Sequence, residues 1–275
     1  MSLRPVNNGR VILAGAGPGD PELLTIKTVR YLGRADVVLT DRLVSQEILD
    51  EYVSPNAEVV HVGKQCRRGI STPQMTINEL MVMYAKQGKL VVRLKGGDVS
   101  LFSNILDELQ VLSENDIPYE IIPGVTAALG AAAYAGIPLT ARDYSTGVRI
   151  LTSYKSDIVS DEYWKELAKT DDTLVFYMSS ETLGTVVEKL VGNGISESKL
   201  LAVVEQATTP MQHVHICNLY HYEEELGAIN FISPSLVIIG KVVSLHKEYA
   251  WLKEGDSREY YFKPLESKSK YVSSK

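Results

Sequence analysis

The sequence predicts an α/β protein whose strands form a largely parallel sheet. Short apolar segments rich in β-branched residues alternate with segments of helical periodicity through most of the 275 residues. This alternation is typical of parallel sheets covered by helices. Several apolar segments also end abruptly in glycine or in a charged residue. In open α/β sheets ligands bind outside the carboxyl ends of the strands, so these ends are the natural candidates for a functional site.

The clearest of these segments begins at Val91. A short apolar run leads into Gly96, Gly97 and Asp98. The run predicts a buried strand, and the two glycines would let a ligand approach bare backbone because they carry no Cβ atom. An ordinary turn after a strand has the same composition, so this segment alone leaves both interpretations open.

The first half of the chain predicts regular alternation of strands and helices. Strands are expected at about 11–14, 36–40, 58–62, 91–95 and 119–122, and helices at about 20–33, 72–88, 103–114 and from 126 onward. Asp20 followed by Pro21 is typical of a helix start. The stretch from Gly15 to Asp20 lacks the last glycine of a dinucleotide-binding fingerprint and contains a stiffening proline, which disfavours that function.

The pattern restarts after a connecting segment at 137–143. Further strands are expected at 148–152, 173–177, 200–204, 214–219 and 235–239, and further helices near 162–169 and 181–192. We therefore predict an N-terminal domain of residues 1–143 and a C-terminal domain of residues 144–252. Residues 253–275 are polar, charged and aperiodic, which predicts a mobile tail.

Composition excludes several classes of function. The net charge of −6 disfavours a nucleic-acid binder, because such proteins usually carry a basic surface. The longest apolar stretch, 127–139, contains glycines and a proline and is too short to span a bilayer. Residues 1–10 do not resemble a signal peptide, so we expect a soluble cytoplasmic protein. Cys66 and Cys217 form no CxxC pair, and the histidines lack metal-ligand spacing, so no metal site is predicted.

Polar side chains follow three of the predicted strands. Asp41, Lys64 and Asp98 each stand where a strand ends, and the carboxyl ends of parallel strands share one edge of a sheet. A carboxylate and an ammonium group at neighbouring strand ends could act as an acid/base pair, each shifting the pKa of the other. The alternative is that each residue simply begins a solvated loop.

Basic residues also cluster by loop. The residues concerned are Arg42, Lys64, Arg67, Arg68, Arg93, Lys95 and Arg142. On an acidic protein, such a set around one cleft would suit a polyanionic substrate. A scattered, solvated surface is the competing interpretation.

Eight collinear motifs give the chain a family resemblance. They are GAGPGDP at 15–21, DRLV at 41–44, VGK at 62–64, VVRLKGGD at 91–98, PGVTAA at 123–128, AYAGIPLT at 133–140, FYM at 176–178 and SPSL at 233–236. By these motifs the chain resembles the tetrapyrrole methylases, which are S-adenosylmethionine-dependent enzymes. Within that family it is most similar to the uroporphyrinogen-III C-methyltransferases, and the similarity runs from about Val11 to Trp251.

The resemblance implies two α/β domains of the tetrapyrrole methylase type, with the active site in the cleft between them, and a homodimer. S-adenosylmethionine would lie in that cleft as co-substrate. The residues expected to contact it are Pro18, Gly96, Gly97, Asp98, Leu101, Thr126, Ala127, Met178 and Ala207.

The same resemblance implies a reaction. Two pyrrole carbons of uroporphyrinogen III would be methylated to give precorrin-2 for sirohaem or cobalamin synthesis. Asp41 would be the proton acceptor and Lys64 the proton donor. The carboxylates of this tetrapyrrole would account for arginines at the mouth of the cleft, since arginine can bind a carboxylate through two hydrogen bonds.

The chain departs from the family pattern mainly after Asp98. The family usually continues with proline and a Gly-Arg-Gly-Gly-Glu-Glu run, whereas this chain reads VSLFSNILDE at 99–108. Ala141 replaces a usual histidine, Ala207 replaces a glycine, and the stretch at 65–69 is also altered. We expect cofactor binding to be intact and the substrate-facing wall to be rebuilt.

Two alternatives therefore stand beside methylation of uroporphyrinogen III. One is a methylase of a later corrin intermediate. The other is a non-catalytic homologue that only binds the cofactor, which the retention of Asp41 and Lys64 disfavours.

Overall fold

The computed structural model describes residues 9–62, 64–65, 70–71, 74–152, 160–177, 182–253, 255 and 257–262. The described chain forms two compact units, one of the residues up to Val125 together with Phe262, and one running from Thr126 to Tyr261. Within these described ranges, no helix has both the length and the apolar character required to cross a membrane.

The first unit contains a parallel five-stranded sheet and a short hairpin. Its strands are β1 (Arg10–Gly15), β2 (Val37–Thr40), β3 (Glu58–His61), β4 (Lys64–Gln65), β5 (Ile70–Ser71), β6 (Leu90–Lys95) and β7 (Tyr119–Ile122). The sheet has the order β3-β2-β6-β1-β7 with all neighbours parallel, and β4 pairs antiparallel with β5. Its helices are α1 (Ile26–Leu32), α2 (Gln46–Tyr52), α3 (Gln74–Lys86) and α4 (Ile105–Glu114).

Strand β6 lies at the centre of this sheet and is covered on both faces. Val91 packs with residues of α3 and α4, whereas Val92 and Leu94 pack with residues of α1 and α2. All three side chains are fully buried, and each burial contributes about 1.5–3 kcal/mol. The core therefore gives the carboxyl end of β6, where Gly96 follows, a rigid support.

The prediction of one continuous helix at 20–33 is wrong, because two separate elements occupy these residues. Pro21–Leu23 forms a single 3₁₀ turn, and Leu24 then returns to extended backbone. A new helix, α1, begins after Thr25, whose hydroxyl accepts a hydrogen bond from the Thr28 amide. The second capping residue explains why one predicted helix became two short elements.

Helix α2 and the β4–β5 hairpin were not predicted. Helix α2 has seven residues, and its buried side chains are the two successive residues Ile48 and Leu49. So short an element shows too little of the helical period to be recognised in the sequence.

The second unit contains another five-stranded sheet. Its strands are β8 (Val148–Thr152), β9 (Thr173–Tyr177), β10 (Leu200–Glu205), β11 (His213–Asn218) and β12 (Ser235–Gly240), in the order β11-β10-β12-β9-β8. Its helices are α5 (Ala127–Tyr134), α6 (Asp161–Lys169), α7 (Leu183–Gly192), α8 (Tyr222–Glu225) and α9 (His246–Tyr249).

The expectation of a largely parallel sheet is wrong for this second unit. Only β8 and β9 are parallel, and the other three neighbouring pairs are antiparallel. Residues 206–212 are the whole connection between β10 and β11. A parallel pair needs a crossover of about a dozen residues or more, so a connection this short can only return the chain antiparallel.

The division between the units comes earlier than the boundary predicted after residue 143. Helix α5 is the reason, because its small side chains join the core of the second sheet. Ala128 and Ala131 are fully buried in the same cluster as Val175 and Ile238. Alanines give this helix almost no amphipathic pattern, so the sequence does not reveal which sheet it covers.

Residues 257–262, which belong to the segment predicted to be a mobile tail from residue 253, contact other described residues. Arg258 pairs with the buried carboxylate of Glu205, and the Tyr261 amide donates to the side chain of Gln206. Polar side chains that find buried partners can order a segment that lacks apolar periodicity. Residues 263–275 of the predicted tail lie outside the described residues.

Candidate active site

Backbone loops meet at the carboxyl edge of the first sheet. Gly17 and Gly97 exchange two backbone hydrogen bonds, of 3.1 and 2.7 Å. A Cβ atom on Gly124 would lie 2.3 Å from the Gly97 oxygen, and one on Gly15 would lie 2.6 Å from the same atom. These glycines are therefore required by the packing of three loops against one another. The sequence suggested the ligand as the reason, but the amide and carbonyl of Gly97 are used within the protein.

Asp98 ties two of these loops together. Its carboxylate accepts hydrogen bonds from the amides of Ser100 and Gly124, at 2.8 and 2.9 Å. Burial works against the charge, but hydrogen bonds from Ser100, Gly124 and Val99 outweigh it and hold the pKa of Asp98 below its ordinary value. The ionised side chain thus joins the end of β6 to the end of β7, a structural role beside its predicted contact with the cofactor.

The other predicted cofactor residues of this unit lie in the same loops. Pro18 is buried after β1, and Leu101 is half-buried after β6. Gly96 packs against Leu43, since a Cβ atom there would lie 2.8 Å from that of Leu43. The structure therefore brings Pro18, Gly96, Gly97 and Asp98 to one edge of the first sheet.

Residues 99–108, which depart from the family pattern, contain none of the glycines that the family usually has there. Phe102 and Asn104 have positive φ angles of 52° and 54°, and Asn104 precedes the first residue of α4. Asparagine is among the few non-glycine residues that enter this conformation readily. Here an asparagine and a phenylalanine make the turn into α4 in the absence of glycine.

Asp41 is held at the end of β2 by a buried arginine. The Arg93 guanidinium donates to the Asp41 carboxylate at 2.6 Å and to Glu108 at 3.0 Å. Glu108 in turn accepts a hydrogen bond from Lys95 at 2.7 Å. Arg93, Lys95 and Glu108 are almost wholly buried, whereas 27% of the Asp41 side chain is exposed. Asp41 is the one member of this charge network that a substrate could reach.

The two cations of the network are tuned by burial and by their partners. Burial opposes the charge of Arg93, but Asp41 and Glu108 outweigh it and raise the pKa of the guanidinium. Burial and the neighbouring Arg93 lower the pKa of Lys95, although Glu108 acts in the opposite direction. Arg93 therefore stays charged and keeps Asp41 paired.

This network corrects one part of the sequence analysis. Arg93 and Lys95 were expected among the cations that bind a polyanionic substrate, but their partners are carboxylates of the protein itself. The two residues are two positions apart on β6 and so point to the same face of the sheet. Two cations on one face of a buried strand predict an internal acidic partner, and that signal was missed.

Two of the predicted site residues, Lys64 and Met178, lie partly or wholly outside the described residues. The backbone of Lys64 lies in β4, shortly after Val62, whose amide donates to the Thr40 carbonyl. The Lys64 side chain and all of Met178 lie outside the described residues. The backbone pairing still brings the chain before Lys64 next to the end of β2, where Asp41 lies.

In the second unit, Tyr177 holds the start of helix α5. Its hydroxyl lies 2.6 Å from the Thr126 hydroxyl and accepts a hydrogen bond from the Ala128 amide at 2.7 Å. Thr126 and Ala127 are predicted cofactor residues, and they occupy the first positions of this helix. Sequence reasoning gave Tyr177 no role, although its position at the end of β9 was a usable signal.

Ala207 follows strand β10 in a tight loop. It is buried between Gln206 and Thr208, which have positive φ angles of 46° and 66°. The Thr208 amide donates to the side chain of Gln212 at 2.8 Å. Ala207 thus offers a small side chain on a backbone that its neighbours hold in an unusual conformation.

These features fit a nucleoside-like methyl donor. Gly96 and Gly97 in the first unit carry no Cβ atom, and Ala127 and Ala207 in the second unit carry only a methyl group, so none of the four adds bulk beside a ligand. The Asp41 carboxylate lies at the same sheet edge as the first unit's loops.

Comparison with known proteins agrees with this interpretation. The family of tetrapyrrole (corrin/porphyrin) methylases matches residues 10–223. The uroporphyrinogen-III C-methyltransferase of Bacillus subtilis is 44% identical over 246 residues, covering 89% of this chain and 95% of that protein. The siroheme synthase of Saccharophagus degradans is 44% identical over 245 residues, covering 89% of this chain and 53% of that protein. The chain thus spans about half the length of the siroheme synthases it matches.

Solved structures show the same fold. The uroporphyrin-III C-methyl transferase of Thermus thermophilus, complexed with S-adenosylhomocysteine, has a TM-score of 0.71 at 35% identity and covers 86% of this chain and 93% of its own. A cobalt precorrin-4 methyltransferase has a TM-score of 0.75 at 28% identity and covers 88% of this chain and 98% of its own.

Proposed function

The chain belongs to the tetrapyrrole methylases, and we propose that it methylates uroporphyrinogen III at two pyrrole carbons to give precorrin-2 for sirohaem or cobalamin synthesis. The observation that carries the proposal is Asp41, a partly exposed carboxylate fixed by buried Arg93 at the carboxyl edge of the sheet. The similarity to the uroporphyrinogen-III C-methyltransferase of Bacillus subtilis supports this choice of substrate.

The methyl donor is S-adenosylmethionine, whose sulfonium supplies an electrophilic methyl group. We assign its contacts to the residues that the family resemblance implies, which are Pro18, Gly96, Gly97, Asp98, Leu101, Thr126, Ala127, Met178 and Ala207. The task of these residues is to hold the methyl group in line with the attacking pyrrole carbon, and such positioning can provide about 7–11 kcal/mol of the barrier reduction.

The proton steps fall to Asp41 and Lys64. When a pyrrole carbon forms its bond to the methyl carbon, the bond from sulfur to that carbon breaks and the positive charge passes to the ring system. Loss of a proton to the Asp41 carboxylate neutralises that charge. Lys64 is the proposed proton donor to the ring system.

The substrate is a polycarboxylate, so some cations must remain available to it. Arg93 and Lys95 are paired inside the protein. Arg142 belongs to the predicted basic set and is exposed, and we assign it to the substrate carboxylates.

We further propose that the enzyme works as a cytoplasmic homodimer, as the resemblance implies.

A methylase of a later corrin intermediate is the second candidate. The altered segment at 99–108, with its positive-φ turn at Phe102 and Asn104, favours it. The similarity in fold to a cobalt precorrin-4 methyltransferase is compatible with it.

The substitution Asp41→Ala tests the proposed role of Asp41. We expect the rate of methyl transfer to fall about a hundredfold or more, because removal of a general base typically costs that much. The affinity for S-adenosylhomocysteine, measured by calorimetry, should stay within about twofold. Asp50→Ala, which removes an exposed carboxylate of α2, is the matched control. Unchanged turnover in Asp41→Ala would remove the catalytic assignment.

A further inference from the structure

The loop of residues 206–212, which carries Ala207, is held in an unfavourable backbone conformation. Gln206 and Thr208 both have positive φ angles, of 46° and 66°, and both are buried. Residues with a Cβ atom rarely adopt this conformation, and they keep it only where the surroundings impose it. Some part of the molecule must therefore hold the 206–212 loop in place.

Two described parts of the C-terminal segment, residue 255 and residues 257–261, provide these contacts. The Gln206 side-chain amide donates to the Glu259 carbonyl at 2.8 Å, and its oxygen accepts from the Tyr261 amide at 2.8 Å. At the far end of the loop, a ring nitrogen of His213 lies 3.1 Å from the Ser257 carbonyl. The segment therefore binds both ends of the loop.

Arg258 anchors this segment to the core. Its guanidinium donates to the Glu205 carboxylate at 2.7 Å and to the Asn230 carbonyl at 3.3 Å. Glu205 is fully buried at the end of β10 and also accepts a hydrogen bond from the Ile232 amide. A buried carboxylate is costly without partners, so Glu205 binds the segment through Arg258 directly beside the loop.

Gly255 adds a close backbone contact. A Cβ atom at this position would lie 2.5 Å from the Pro210 carbonyl oxygen. Nothing larger than glycine fits there without moving the segment or the loop. The contact thus links the middle of the loop to the start of the segment.

We infer that residues 255 and 257–261 act as a strap that positions the 206–212 loop for the cofactor, with Arg258 as the chief positioning residue. The inference deepens the proposed function, because it rests on the assignment of Ala207 to the cofactor site. The strap would set the affinity for S-adenosylmethionine and leave the methyl-transfer step itself unchanged.

The test compares Arg258→Met and Gly255→Ala with wild type. Arg258→Met removes the anchor and keeps much of the aliphatic length, whereas Gly255→Ala displaces the strap without changing any charge. For both variants we expect the Kd for S-adenosylhomocysteine and the KM for S-adenosylmethionine to rise about tenfold. The kcat at saturating cofactor should stay near the wild-type value. Arg258→Lys should restore part of the affinity.

Three further variants make the outcome decisive. Lys241→Met removes an exposed cation that pairs with Asp171 in the same unit, and it should leave the Kd unchanged. Glu205→Gln combined with Arg258→Met also removes the buried charge that would otherwise have lost its arginine and kept only His215 and the Ile232 amide, so it tests the strap if the single variant fails to fold. Ala207→Leu places bulk at the assigned cofactor contact.

Two results would overturn the inference, and they differ in meaning. If Ala207→Leu weakens binding while the strap variants bind normally, the loop belongs to the cofactor site but does not depend on the strap. If none of these variants changes the affinity, Ala207 is not part of the cofactor site, and that assignment within the proposed function fails as well.

Discussion

At the scale of single residues, the orientation of the Asp41 carboxylate depends on a buried side chain, Arg93. Asp41 is partly exposed, but the guanidinium that orients it is buried and makes two further hydrogen bonds, to the carbonyls of Leu39 and Leu94. Arg93 is therefore fixed by the backbone of two neighbouring strands. A fixed partner restricts Asp41 to few orientations, which is how a general base gains efficiency.

Tyr177 allows a test in which one hydroxyl group is removed. Tyr177→Phe leaves the Ala128 amide without its partner at 2.7 Å and releases Thr126. The orphaned donor costs about 1–3 kcal/mol of stability. Because the start of α5 is then no longer held in its binding position, we also expect the Kd for S-adenosylhomocysteine to rise about tenfold. Isothermal titration calorimetry measures the change.

Tyr220→Phe is the control for this effect. It removes a comparable hydroxyl, which donates to the Ile195 carbonyl at 2.8 Å in the same unit. It should cause a similar loss of stability with no change in Kd. Equal affinities for wild type and Tyr177→Phe would show that the start of α5 does not depend on the tyrosine.

At the scale of elements, strand β6 and helix α4 are joined by charge. Glu108 is the only described acid that contacts both Arg93 and Lys95. Replacement of Glu108 with glutamine keeps the shape of the side chain but removes its charge. Arg93 then keeps Asp41 as its carboxylate partner, whereas Lys95 loses the Glu108 carboxylate. We expect Glu108→Gln to lower the free energy of unfolding by about 3–5 kcal/mol, measured by urea denaturation.

Glu114→Gln on the exposed face of α4 is the matched control. It should change the free energy of unfolding by less than about 0.5 kcal/mol. If Glu108→Gln were as mild as the control, the network would contribute little, and another contact would have to orient Arg93.

The glycine loops at the sheet edge are the second test at this scale. Gly124→Ala places a Cβ atom 2.3 Å from the Gly97 oxygen, so the loops must separate. We expect a loss of about 1–3 kcal/mol of stability together with weaker cofactor binding. A thermal denaturation series with and without S-adenosylhomocysteine measures both.

Gly192→Ala provides the contrast, because nothing lies within 4 Å of the added atom. It is the last residue of α7, where alanine should be neutral or stabilising by up to about 1 kcal/mol. A normal Gly124→Ala protein would mean that the loops adapt, and the packing explanation for the glycines would fail.

The elements differ in how far the sequence predicts them. Strand β6 was predictable because Val91, Val92 and Leu94 form a continuous apolar run and the strand is buried on both faces. Helix α5 was recognised, but its alanines carry no amphipathic pattern, so its place in the second sheet's core became visible only in the structure. The antiparallel strands of that sheet were misjudged because apolar runs do not encode strand direction.

Sequence and structure can also be compared for the arrangement of the candidate site residues, whose roles stay predictions. Motifs identified Asp41 and the glycine loops, because these depend on local sequence. The pairing of Arg93 with Glu108, of Tyr177 with Thr126 and of Arg258 with Glu205 joins distant parts of the chain. Such pairs follow from the fold and not from any local pattern.

At the scale of the whole molecule, the residues to which the proposed function assigns roles are divided between the two units. Asp41 and its buried support belong to the first unit, and the start of α5 and the 206–212 loop belong to the second. If the substrate is the proposed polycarboxylate, an acidic chain must concentrate its available cations locally. With Arg93 and Lys95 paired internally, substrate binding should depend on few residues, among which Arg142 is exposed.

The measurement that tests the proposed function most directly is an anaerobic assay of the purified protein with labelled S-adenosylmethionine and uroporphyrinogen III. Product mass and transferred label are followed together. We expect a product that carries two added methyl groups. No transfer, in a sample that demonstrably binds S-adenosylhomocysteine, would contradict it and leave a later corrin intermediate or a non-catalytic role as the function.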